Sequence, residues 1–65
     1  MPTWKSGGYT FRMYANDHPP PHVHIFRDGK LLDRYDLESG EFMDETIGRH
    51  KGRVLQAMRD AGLIE

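Results

Sequence analysis

Apolar and polar positions alternate from residue 9 to residue 15, with Phe11, Met13 and Ala15 on one side and Thr10, Arg12 and Tyr14 on the other. That two-residue period predicts a half-buried strand. Alternation resumes at His22, where Val23 and Ile25 oppose His22, His24 and Phe26, and it runs to Arg27. Asp28-Gly29 is a hairpin signal, and residues 30–37 form the next predicted strand. Ser39-Gly40 marks another turn, followed by a short strand over residues 41–43. Beyond it Ile47, Val54, Leu55, Met58 and Ala61 recur at helical spacing, from a start near residues 44–46 where either Asp44 or Thr46 could cap. Gly62 fits the left-handed position after a helix, and Leu63 can fold back on Met58. Gly48 and Gly52 each cost a helix ~1 kcal/mol relative to Ala, so packing must hold its first turns. Residues 1–8, with Pro2, Ser6, Gly7 and Gly8, read as an irregular lead-in whose one large apolar group, Trp4, docks on the core. The expected fold is α+β: a small antiparallel sheet of three to four strands with one C-terminal helix packed on one face, a single domain over residues 1–65.

Register follows from the apolar face. A two-residue loop at Asp28-Gly29 pairs Phe26 with Leu31 and puts Val23 and Ile25 on the face of Leu32 and Arg34. A three-residue loop over residues 27–29 pairs Ile25 with Leu31 and aligns Val23, Ile25, Leu31, Tyr35 and Leu37. Because a slip of one residue turns every side chain over, the hydrophobic set favours the three-residue loop. Asp33 then interrupts the apolar face, near its edge.

A chain of 65 residues buries only about 60% of its unfolded surface. It has no cysteine, so a covalent staple is excluded, and stability must come from the core, a metal or a partner chain. The absence of cysteine and of any long apolar run favours the cytoplasm and excludes a membrane span. Nine Lys plus Arg against ten Asp plus Glu give a net charge of -1, which supplies no global field toward nucleic acid. Arg49, Lys51 and Arg53 form a local basic group whose ordinary role is a solvated helix face. His50, beside them, reads as a surface residue. The aromatics Tyr9, Phe11, Phe26, Tyr35 and Phe42 read as strand packing in preference to a base-stacking platform.

Chemistry concentrates in residues 17–24, Asp17-His18-Pro19-Pro20-Pro21-His22-Val23-His24. The three prolines make a stiff, extended connector. His22 and His24, two apart in a strand, point the same way. Arg34 and Asp36 from the next strand belong to the same face, as do Arg12 and Tyr14 if the preceding strand is adjacent, with the helix on the other. Three readings compete. His22 and His24 with Asp17, His18 or Asp36 could ligate a divalent metal such as zinc at ~2.0 to 2.2 Å. The two imidazoles could perform acid-base chemistry on a phosphodiester while Arg12 or Arg34 steadies the phosphate. Or the histidines could hydrogen-bond loop backbone, pair with Asp17 and Asp36, and fix the connector.

Met1-Pro2-Thr3, Met13-Tyr14, Asp17-His18 with Pro20-Pro21-His22 and His24, and Glu38 with Gly40 together resemble a small bacterial family, domain of unknown function 4160. Its hallmark is DH-x-PPH-x-H, here carried by Asp17, His18, Pro20, Pro21, His22 and His24. Trp4, where an aliphatic residue is common, and the short C-terminus depart from the family pattern. The resemblance implies no established activity. It implies a gene commonly placed beside that of another small protein, as in toxin-antitoxin pairs. The expectation is a binding module that works with a small protein partner or as a homo-oligomer, with a histidine-dependent nuclease or phosphodiesterase as the alternative.

Overall fold

A computed structural model of the protein describes residues 2–14 and 19–65. Its described strands are β1 (Thr3–Ser6), β2 (Tyr9–Arg12), β3 (His22–Arg27), β4 (Lys30–Asp36) and β5 (Glu41–Phe42), and they pair in chain order as one antiparallel meander. A 3₁₀ turn (Gly48–His50) leads into α1 (Lys51–Asp60). The α+β expectation holds, with five strands instead of three to four. The additional strand is β1, inside the stretch expected to be irregular. Trp4 pairs with Phe11 and packs against the core, while Lys5 pairs with Thr10 on the other face. With one large apolar residue in four positions, β1 carries too little alternation to be distinguished from a loop.

The core forms where one sheet face meets the helix layer. Tyr9, Phe11, Val23, Ile25 and Tyr35 from the sheet bury against Ile47, Val54, Ala57 and Met58. At the end of α1 the Leu63 amide donates to the Met58 carbonyl at 2.9 Å, and the Gly62 amide to Arg59 at 3.0 Å, with Gly62 at φ 79°. This is the doubly bonded helix stop in which a glycine takes the left-handed conformation that a Cβ would disfavour.

The expected hairpin register is corrected. The loop is the two-residue one: Arg27 pairs with Lys30 and Phe26 with Leu31, while Asp28 and Gly29 stand at φ 52° and 77°, the positive pair of a tight hairpin turn. A bulge then shifts the ladder, so that Ile25 faces Asp33 and Val23 faces Tyr35. One extra residue in β4 restores the phase that the three-residue loop was meant to supply. Tyr35 thereby joins the core, but Leu31 goes to the opposite face, where it is 50% exposed. Asp33, expected near an edge, is fully buried in the core.

Asp33 also explains how the helix layer is attached. Its Oδ1 accepts the amides of Arg34 (2.6 Å) and Asp44 (2.9 Å), and its Oδ2 those of Thr46 (2.9 Å) and Ile47 (3.0 Å). A buried carboxylate is tolerated when strong hydrogen bonds replace its hydration, and four amides do that here. Capping from within residues 44–46 is not observed: neither helical segment has a side-chain cap of its own. The chain entering the helix layer is instead held by a carboxylate more than ten positions upstream. Gly48 precedes α1, leaving Gly52 as its one internal glycine.

Candidate functional site

Strand pairing assembles the face predicted from the histidine spacing. His24 lies between Arg12 of β2 and Arg34 of β4, and His22 pairs with Asp36. The two imidazole centroids are 5.1 Å apart, and the Tyr14 ring meets His24 edge-on at 4.7 Å. His22 is buried and His24 half-buried. Among the expected site residues, Tyr14, His22, His24, Arg12, Arg34 and Asp36 are therefore gathered on or beside this face, whereas Asp17 and His18 lie outside the described residues, as does Ala15.

The imidazoles differ in their surroundings. His22 Nδ1 is 2.8 Å from the Pro20 carbonyl oxygen. A carbonyl only accepts, so Nδ1 is the donor in this contact. The Pro19–Pro20 peptide is cis and the chain bends there, which replaces the extended polyproline path expected for this connector.

The carboxylates are already engaged. Asp36 Oδ1 accepts the Glu38 amide at 2.8 Å and the Ser39 amide at 3.1 Å, closing the turn into β5. The Ser39 amide chiefly draws the Asp36 carboxyl below its ordinary value, with Glu38 and the His22 charge adding to it against a partial desolvation penalty. Asp44, absent from the expected site, reaches into it: Arg34 Nε donates to Oδ2 at 3.0 Å and Nη2 to Oδ1 at 2.6 Å. That hydrogen-bonded pair holds the Asp44 carboxyl below its usual range, opposed by desolvation and assisted by the charges of Arg34, His24 and His22. The Arg34 charge is thus largely answered by Asp44, whereas Arg12 is exposed, its guanidinium 5.5 Å over the Phe26 ring. Asp44 was legible only as a potential cap, because its contact with Arg34 depends on the Asp33 anchor that fixes the following loop.

Among the described residues no group of three or more metal-ligating side chains comes together, so a metal at His22 and His24 would need a ligand such as Asp17. Of the five aromatics expected to pack within the strands, Tyr9, Phe11 and Tyr35 are buried in the core and Phe42 packs edge-on against Tyr35 at 5.0 Å, leaving Phe26 part-exposed under Arg12. No helix among the described residues is long and apolar enough to cross a membrane.

The fold defines a class: a small antiparallel meander with one face closed by a helix and the other presenting a histidine pair among cationic and aromatic groups. Residues 8–61 match the family described as Domain of unknown function (DUF4160), and the chain belongs to that family. No curated protein and no solved structure matches it.

Proposed function

We propose that this chain is a binding module that docks a second small protein on the sheet face opposite α1, in the manner of a toxin-antitoxin component. The observation that carries the reading is the Phe26–Leu31 pair, which the bulge directs away from the core: Leu31 is 50% exposed and Phe26 half-exposed, with Arg12 over the Phe26 ring. An aliphatic and aromatic anchor beside an arginine is the kind of centre that dominates protein interfaces. Lys5 and Arg12 give it a basic rim, suited to a partner with an apolar anchor flanked by carboxylates. A standard interface removes about 800 Å² per partner, which is roughly a fifth of this molecule's 4456 Å². A binding site of that size occupies a whole sheet face, and one face is closed by the helix.

Calorimetric titration with candidate small partner proteins, such as the product of an adjacent gene, tests the reading. A saturable complex is expected, weakened about tenfold or more by Leu31→Asp while the denaturation midpoint stays near that of wild type. Failure to bind any of them, together with a monomeric chain at high concentration, contradicts it.

The proximity of His22 and His24 favours a second reading, acid-base chemistry on a phosphodiester. The two imidazole centroids lie 5.1 Å apart on one face, so one histidine acts as the base and the other as the acid. Turnover of RNA or a small phosphodiester is then bell-shaped in pH, and His24→Ala removes about 10²-fold or more of the rate. Flat, buffer-level turnover across pH would reject it.

A further inference from the structure

On the helix side of the sheet, away from the histidine face, a second group of cations comes together with no ion-paired carboxylate among the described residues. Arg27 ends β3 on the side of Val23 and Ile25, and its guanidinium lies 5.1 Å over the ring of buried Tyr9. The Tyr9 hydroxyl is 3.0 Å from His50 Nδ1, and the two rings meet edge-on at 5.9 Å. His50, expected at the surface, is thus half-buried and fixed. Arg27, Arg49, His50 and Arg53 line one depression of about 520 Å³. Among the described residues the ion pair formed is Arg34–Asp44, and no carboxylate lies within 4.0 Å of Arg27, Arg49 or Arg53.

Grouping these cations carries a small electrostatic cost. Arg49 and Arg53 are four residues apart, where like charges repel, and Arg27 approaches from the hairpin. A chain of net charge -1 has enough carboxylates to neutralise three guanidinium groups, yet none lines the depression. Guanidinium groups remain charged at any physiological pH and match phosphate oxygens with paired N–H donors. The hydrogen bond between the Tyr9 hydroxyl and His50 Nδ1 holds the imidazole in place beside the three guanidinium groups.

We propose that this depression is a binding site for a multiply charged phosphate group, of the kind carried by a nucleotide or by the phosphorylated end of a nucleic acid. Three fixed positive charges suit a dianion or trianion better than the single charge of a carboxylate, and the depression is open enough for the group to enter from solvent. It stands apart from the partner face, so either can fail alone.

The test titrates the full chain at low salt with pyrophosphate, ADP, adenosine, sulfate, and one oligoribonucleotide bearing either a 5′-phosphate or a 5′-hydroxyl. Saturable binding of pyrophosphate is expected, with a rise in Tm by mass action, and no binding of adenosine. ADP binding without discrimination between the oligonucleotides identifies a nucleotide site, whereas preference for the 5′-phosphate identifies a nucleic-acid end. Arg49→Gln and Arg53→Gln, both at exposed positions, should each weaken pyrophosphate about tenfold or more and leave unliganded stability unchanged or higher. His24→Ala should leave this binding intact. The proposal is overturned if pyrophosphate does not saturate, if sulfate binds as well as pyrophosphate, or if the two arginine variants bind like wild type.

Discussion

Replacing Asp33 by Asn keeps size and shape but gives a pair of acceptors over to a pair of donors. The carboxylate receives four amides, two on each oxygen; the amide can serve one pair, and its NH₂ opposes the other. A buried group left unsatisfied costs about 1–3 kcal/mol. Ile47 is buried while Asp44 and Thr46 are exposed, so water relieves part of the loss and the expected cost is about 2–4 kcal/mol. A 65-residue domain has roughly 3–10 kcal/mol in all, making this single atom exchange a large fraction of it. In urea, with a slope of about 1 kcal/mol/M for so small a chain, the midpoint should fall by roughly 2–4 M. Amide exchange at Thr46 or Ile47 should accelerate before global unfolding. A midpoint shift worth under about 0.5 kcal/mol, with the Ile47 amide still protected, would refute the assignment of Asp33 as the anchor of the helix layer.

Other outcomes follow from the same geometry. Gly62→Ala forces a Cβ into the left-handed region at φ 79° and should cost about 1–2 kcal/mol in chemical denaturation. His22→Ala removes the donor to the Pro20 carbonyl and is expected to lower stability by about 1–3 kcal/mol; an unchanged midpoint would show that the hydrogen bond does not hold the connector. The Asp44 carboxyl sits below its unfolded value of 3.8, so its pairing with Arg34 stabilises the fold above that pH and is lost as pH falls through the lower folded value. Because the pair is exposed, the acid-induced loss should be small and should shrink in added salt, and Arg34→Gln should remove it.

The sequence was most informative where period and turn chemistry agreed. Residues 22–27 were recovered as a strand because Val23 and Ile25 alternate cleanly and Asp28-Gly29 closes the hairpin, and the Gly62 stop was legible from its place after Met58. The register error had a physical source: alternation assumes an unbroken ladder, and a bulge changes phase without a residue type that announces it. Asp33 is visible as a polar intruder among apolar positions, but three of its four amide partners, those of Asp44, Thr46 and Ile47, come from a loop more than ten residues away, so neither its burial nor the position of Asp44 can be read locally. The shared face of His22, His24, Arg34 and Asp36 was accessible from spacing because the bulge precedes that end of the hairpin. The arginine depression was not, since it requires Arg27 and the start of α1 to meet in space.

The proposed partner face is tested most directly by amide chemical-shift mapping of the labelled chain against a candidate small partner protein, such as the product of an adjacent gene. Saturable perturbations concentrated at Arg12, His24, Phe26, Leu31 and Arg34, with α1 from Val54 to Met58 unperturbed, are the expected result. Perturbations confined to α1 and the helix face, or none at saturating partner, would contradict the assignment of the open sheet face as the binding surface.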